Sequence, residues 1–339
     1  MQMSTSTHLA TSSAQSCSPW IPPELVSLIL TKLWEAPHTP QKRSGLLKNI
    51  ALVNHAWLTL VACIASRDVH ISSKRNANAF LRLLPKYSPR QKADDLFTME
   101  GKRVANEVCR SLTFYVDGST SPGALSRDTS PASDAISLVL DTISALDHFP
   151  NLRHISLRYT DCPFDDVLKQ LERGTFPQQV THLSIEYAFT KRSLKYDMWG
   201  RWMKICTLYG RYPIRTLPPN LQHISLSGLK TGCAAVIVKA CPNVKTLELT
   251  DPIQLSGLVP FLPTVRTVVL HHPAFAASGE DMMSYHLFRA LGRRRQFLPK
   301  GAKLRIVIRS GNPDPVAFMK LRCRCSCKPR YNTELVYER

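Results

Sequence analysis

The chain has 339 residues, 44% hydrophobic and 20% charged, the balance of a globular protein long enough for one large domain or two unequal ones. No window approaches the roughly 20 apolar residues of a spanning helix, and the first 18 residues are polar, rich in Ser and Thr, and lack an apolar signal core. A soluble intracellular protein, cytoplasmic and/or nuclear, is therefore expected. The formal charge of +19 favours acidic partners in general, and seven cysteines scattered singly from Cys17 to Cys241 read as reduced structural thiols.

Residues 1–18 read as a tail. A helix is predicted to start at Ile21-Pro22-Pro23-Glu24-Leu25, which offers an apolar residue, prolines suited to a first turn and an acid that complements the helix dipole. Through Val26, Leu28, Ile29, Leu30, Leu33 and Trp34 apolar side chains occupy nearly the whole circumference, as on a helix buried on two sides. A polar loop at Glu35 to Arg43 follows. Leu46, Ile50, Val53, Trp57, Val61 and Ile64 then recur at spacings of 4, 3, 4, 4 and 3 and predict one second amphipathic helix, widened by Leu47, Leu52, Leu58 and Leu60. So short a module cannot bury that much apolar surface alone, and association of a helix with another protein's groove is expected.

The run Ile21-Pro22-Pro23-Glu24-Leu25, then Ile29 and Leu33, then Ala51-Leu52-Val53-Asn54-His55-Ala56-Trp57, and lastly Asp68-Val69-His70-Ile71 resembles the F-box in its fungal form. That family's pattern is Leu-Pro-x-Glu-Leu, a helix, and Val-x-x-x-Trp. Ile21 replaces the usual leucine, and the stretch from Leu33 to Val53 is longer than the pattern has it. The resemblance implies that residues 19–72 bind the Skp adaptor of a cullin-RING ubiquitin ligase, with Pro22, Leu25, Ile29, Leu33, Val53 and Trp57 at the matching positions. Trp57 is the expected hot spot by residue type. The plainer alternative is that Leu25, Ile29, Leu33 and Trp57 form the internal core of a helical hairpin.

A helical connector is assigned to residues 73–107 and a repeat domain to 108–310. Pro150-Asn151-Leu152-Arg153-His154-Ile155-Ser156-Leu157 is echoed by Pro219-Asn220-Leu221-Gln222-His223-Ile224-Ser225-Leu226. The pattern apolar-x-x-apolar-x-apolar also occurs at Val180, Leu183, Ile185, at Val244, Leu247, Leu249, at Val265, Val268, Leu270 and, more weakly, at Cys109, Leu112, Phe114. Each copy predicts a short strand with alternate residues inward. Spacings between first positions are 28, 41, 23 and 21 from Leu152 to Val265, three of them within the roughly 20 to 29 residues of leucine-rich repeats. The long one implies an insertion at 187–218, where Met198, Trp199, Trp202, Met203 and Ile205 suggest a helix. Apolar helical stretches at 135–143 and 232–240 alternate with the strands. The expected fold class is thus α/β, a small all-helical module followed by an irregular solenoid with parallel strands and helices on its convex side.

Cys241-Pro242-Asn243-Val244-Lys245-Thr246-Leu247-Glu248-Leu249 is similar to the strand approach of cysteine-containing leucine-rich repeats, which often follow an F-box. The Asn or Cys that family carries beyond the strand is replaced by Leu229, Pro252 and Pro273, so the solenoid is degenerate. Arg153, His154, His182, His223, Lys245 and Arg266 are expected on the concave face as target contacts, beside Ser156, Ser184, Ser225 and Glu248. A target with acidic or phosphorylated residues would suit this net basic surface.

The loop at 116–134 is rich in Gly, Ser, Thr and Pro and reads as a mobile excursion. His271-His272 reads as a surface pair without an implied acidic partner. The tail at 311–339 is basic, and its Cys323, Cys325 and Cys327 alternate without a fourth ligand, which does not match paired-cysteine zinc spacing. No phosphate-cradling loop, nucleophile elbow, His-Glu-x-x-His or calcium loop occurs, so no catalytic residue, metal or cofactor is expected.

The resulting expectation is a non-catalytic substrate-recognition subunit of a Skp-cullin-F-box ligase, contributing proximity between a target protein and the charged enzyme. Two alternatives stay open: a binding scaffold unconnected to ubiquitin, and a basic nucleic-acid binder. Against the second, the densest basic run, Arg293-Arg294-Arg295, carries no interleaved aromatics.

Overall fold

The computed structural model describes residues 21–36, 38–82, 105–118, 131–162, 167–168, 170–171, 174–190, 217–251, 254–258, 264–272, 304–310 and 333–338. It divides into two units, Met1–Ile64 and Ala65–Arg339. The tail at 1–18, most of the insertion at 187–218, the centre of the loop at 116–134 and the three alternating cysteines lie outside the described residues.

The helical unit holds α1 (Pro23–Glu35), α2 (Pro40–Ala51) and the start of α3 (His55–Arg67). Three helices thus stand where two were predicted. The long amphipathic run breaks at Leu52, Val53 and Asn54, because the Asn54 side chain accepts the Trp57 N–H at 2.9 Å and starts a new helix. Part of the predicted polar loop is also helix: Pro40 occupies the first turn of α2 and the Thr39 hydroxyl accepts the Lys42 N–H at 3.3 Å.

Arg43 is buried in this unit. Its guanidinium donates to the carbonyls of Trp34 and, at 3.0 Å, Ala36, and lies 5.2 Å from the Trp34 ring centroid. A cation placed on the last carbonyls of α1 complements the helix dipole and satisfies acceptors that would otherwise be orphaned. Val26, Leu30, Ile50 and Val61 form the core, with Leu46, Leu47, Trp57, Leu60 and Ile64 packed against it.

The sheet unit opens on β1 (Asp68–Ile71), the segment read from sequence as the end of the helical module at 72. After it come α4 (Lys74–Leu81), β2 (Ser111–Asp117), α5 (Pro131–Leu146), β3 (His154–Thr160), β4 (His182–Ala188) and β5 (His223–Ser227). The chain continues through α6 (Thr231–Lys239), β6 (Thr246–Leu249), α7 (Leu255–Leu258), β7 (Thr267–His272), β8 (Leu304–Ser310) and β9 (Thr333–Glu338). The fold is α/β, with one nine-stranded parallel sheet whose strands lie side by side in chain order, an arrangement compatible with a solenoid.

Parallel register aligns the apolar positions into two ladders across all strands. One runs Val69, Leu112, Ile155, Leu183, Ile224, Leu247, Val268, Ile306, Leu335. The other runs Ile71, Phe114, Leu157, Ile185, Leu226, Leu249, Leu270, Ile308, Tyr337. Both meet the apolar side chains of α5 (Ile136, Val139, Leu140, Ile143) and α6 (Cys233, Ala234, Ile237, Val238) in one core. Cys109, Cys162, Cys233 and Cys241 are buried, and burial pushes the Cys109 and Cys241 thiols up to about 12, so these two act as packing residues.

The repeated Pro-Asn step stitches successive turns together. The side-chain amide of Asn151 donates to the Glu107 carbonyl at 2.7 Å, that of Asn220 to Gln178 at 2.9 Å and that of Asn243 to Pro219 at 2.9 Å. Asparagine therefore ties the turn before β3, β5 and β6 instead of the turn after the strand. Gly228, at φ +69, leaves β5 where a Cβ would come within 1.8 Å of the Tyr187 carbonyl oxygen, so only glycine fits.

Candidate binding surfaces

Two ridges run along α1. Val26, Leu30 and Trp34 are buried in the core of the helical unit, whereas Leu25, Ile29 and Leu33, each one residue earlier, are 50%, 45% and 40% exposed. A four-residue step keeps each set on one stripe of the helix. Ile21 and Leu28 extend the exposed stripe, and Leu52, Val53 and Leu58 are exposed around the break between α2 and α3. Soluble proteins seldom leave this many large apolar groups in water unless a partner covers them.

Of the six residues assigned to the adaptor, Leu25, Ile29, Leu33 and Val53 are exposed and Pro22 is half-buried. Trp57 is half-buried too, packed against the unit's own core. The cap at Asn54 fixes the phase of α3 so that Trp57 and Val61 turn inward. The aliphatic ridge therefore leaves a larger fraction of its side chains exposed than Trp57 does.

The second surface is the sheet face opposite the core. His154, His182 and His223 are register neighbours on β3, β4 and β5, with ring centroids 4.3 and 5.0 Å apart. Burial, then the neighbouring histidines, lowers His182 to about 4, and burial is also the first cause that lowers His154. Both are neutral at pH 7.

The row continues into a charged network. His223 Nε2–H donates to Glu248 at 3.0 Å, His271 Nε2–H donates to the other oxygen of the same carboxylate, and Arg309 reaches that oxygen at 3.4 Å. Arg309 also pairs with Glu338 at 3.1 Å. The hydrogen bond from His223 holds the Glu248 carboxyl down to about 2, against the opposing effect of burial and with further help from His271. His271 therefore has an acidic partner, contrary to the reading of a plain surface pair. The partner sits on the neighbouring strand, 23 residues earlier in sequence.

Nearer β1, the Tyr115 hydroxyl lies 3.1 Å from His70 Nδ1, and Arg158 stands 5.6 Å from the Tyr115 ring centroid and 3.1 Å from Glu186. Toward β8 the face turns apolar: Val269 and Val307, 5% and 3% exposed, continue the row of Ser156, Ser184, Ser225 and Glu248.

Arg153, Lys245 and Arg266 are not on this face. Each is the residue before a strand, and together they form a leading rim. Main-chain hydrogen bonds of 2.8 to 3.0 Å link the rim in order: Arg67, Arg110, Arg153, Thr181, Gln222, Lys245, Arg266. The six residues expected to share one concave surface thus separate into a histidine row on the strands and a basic row in front of it. Arg110, not singled out from sequence, belongs to the second; its signal was its place between Cys109 and Ser111 at the head of the weakest repeat.

Among the described residues no group of three or more His, Cys, Asp or Glu side chains could hold a metal ion, and no helix is long and apolar enough to cross a membrane. No family model matches the chain, and no curated protein matches it in sequence.

Proposed function

We propose that the chain is a substrate-recognition subunit of a Skp-cullin-F-box ubiquitin ligase, its helical unit docking on the Skp adaptor and its sheet unit holding a target protein. The observation that carries this reading is the exposed ridge of Leu25, Ile29 and Leu33 beside the buried ridge of Val26, Leu30 and Trp34 on one helix. The residues of the ridge are those at which the chain resembles the F-box. About half of each side chain is already hidden, so covering the rest contributes roughly 1 kcal/mol apiece. Such a subunit needs no chemistry of its own, because holding the target near the charged enzyme supplies the rate through effective concentration.

The test is co-purification of the full chain with a Skp adaptor, compared with a Leu25→Asp, Ile29→Asp variant. Retention by the wild type and loss by the variant, at unchanged circular dichroism, supports the reading; no retention by the wild type overturns it. A second reading, a binding scaffold without a ubiquitin connection, draws support from Trp57 packing into the unit's own core. It predicts a monodisperse full-length protein that ignores the adaptor.

A further inference from the structure

The leading rim carries five basic residues in seven consecutive positions, Arg67, Arg110, Arg153, Lys245 and Arg266, with neutral Thr181 and Gln222 between the two groups. The hydrogen-bond ladder sets these positions one strand apart, ~4.8 Å per step. Six steps from Arg67 to Arg266 span roughly 29 Å, the length of an extended peptide of about nine residues.

Among the described residues no acidic side chain pairs with Arg110, Arg153, Lys245 or Arg266. Nearby acids on the sheet are engaged elsewhere: Asp68 with Arg67, Glu186 with Arg158, Glu248 with His223, His271 and Arg309. Arg110, Lys245 and Arg266 are exposed, and Arg153 is pinned by one guanidinium nitrogen to the Pro150 and Leu152 carbonyls at 2.7 and 3.0 Å, which orders it before any ligand arrives.

A single-stranded nucleic acid is the competing polyanion, and it needs open ring faces on which bases stack. The rings beside the rim, His154, His182 and His223, pack against one another instead. Carboxylates need only the guanidinium and ammonium donors that the rim presents.

We infer that the leading rim is a docking surface for an extended acidic peptide lying across the strands, with its carboxylates toward Arg110 and Arg153 at one end and Lys245 and Arg266 at the other. Thr181 and Gln222, which carry no charge, face the middle of the peptide. The inference rests on reading the sheet unit as the part that holds a target, and deepens it by naming the chemistry of what is held.

The experiment is fluorescence anisotropy of fluorescein-labelled nona-glutamate with the full-length protein at about 0.15 M salt. Saturable binding is expected. An Arg110→Glu, Arg266→Glu variant should weaken it about tenfold or more and flatten its salt dependence, whereas Lys42→Glu, Lys48→Glu, which changes net charge equally within α2, should leave it within about twofold. If the reversal variant loses its circular dichroism, Arg110→Ala, Arg266→Ala takes its place with a smaller loss in the same direction.

The inference falls if the wild type shows no saturable binding, if both charge variants lose affinity alike, or if oligothymidine of matching length binds more tightly through the same residues. The Leu25→Asp, Ile29→Asp variant should still bind the peptide, so failure of adaptor capture and failure of the rim are separate results.

Discussion

Eight large hydrophobic side chains stand exposed among the described residues, and all of them, from Ile21 to Leu58, belong to the helical unit. The sheet unit buries both apolar ladders from β2 to β8 in one core. The difference follows from how each is assembled. Every added parallel strand covers the flank of the one before it and is covered by a crossover segment, so burial grows with each repeat. Three short helices around Val26, Leu30, Ile50 and Val61 can close only one side of α1. One unit completes its own core, and the other carries a second apolar face that its own three helices leave uncovered.

The strongest way to break that comparison is a cavity in the sheet. Leu226 is fully buried between its ladder neighbours Ile185 and Leu249, so Leu226→Ala should cost about 2 to 5 kcal/mol. The loss should register as a lowered urea midpoint and as faster hydrogen exchange in β4 to β6, with exchange in α1 to α3 unchanged. If α1 also opened, the two units would share one cooperative fold and the contrast would fail.

Glu248 gives the next effect. Its carboxyl is held down to about 2 in the folded protein against an ordinary 4.5, so the folded state binds fewer protons than the unfolded one between those values. Its contribution, about 1 to 3 kcal/mol after solvent screening, is complete above pH 4.5 and is lost as pH falls toward 2. His182 is lowered from 6.5 to about 4, so its neutral form contributes stability that is complete above pH 6.5 and drains as pH falls to 4. Urea midpoints should therefore decline in two overlapping steps below pH 6.5. Glu248→Gln should remove the lower step and lower stability at pH 7, and His182→Gln should shrink the upper one, to which the lowered His154 also contributes.

A smaller effect tests the stitching of the repeats. Asn243→Ala deletes the bond to the Pro219 carbonyl and should cost about 1 kcal/mol, with exchange rising first in the turn before β6. No change there would mean that the apolar ladders alone hold the turns in register.

The strands from β2 to β7 were legible because each opens with an apolar residue three positions before the first core position of its strand. β1, β8 and β9 escaped that pattern because Ser66, Lys303 and Asn332 stand there instead, yet register places Val69, Ile306 and Leu335 on the same ladder. Spacing alone also hid the break at Asn54, since a three-residue interruption keeps apolar residues near helical intervals.

The candidate contacts divide between two surfaces, for a reason that lies in the start of each strand. Arg153 and His154 are adjacent, and neighbours in a strand point to opposite faces; Arg153 escapes the alternation only by preceding the strand. Which residue begins a strand depends on main-chain bonds to other repeats. The pairing of His271 with Glu248 depends likewise on register between β6 and β7, which no single repeat contains. The exposed ridge of α1, by contrast, was readable, because a helix apolar on too many sides announces its surplus in its own sequence.

The smallest expected change in stability is also the sharpest test of that surplus. Ile29 is 45% exposed and lies one residue from fully buried Leu30, so truncating it removes a side chain that contributes little to folding. Ile29→Ala should shift the urea midpoint by no more than about 0.5 kcal/mol. The same change should weaken adaptor capture several-fold, because about 1 kcal/mol of burial disappears from the docked ridge, and adding Leu25→Ala should compound the loss. A large fall in stability with no fall in capture would place Ile29 in the unit's own core and remove the physical ground for a partner on that face.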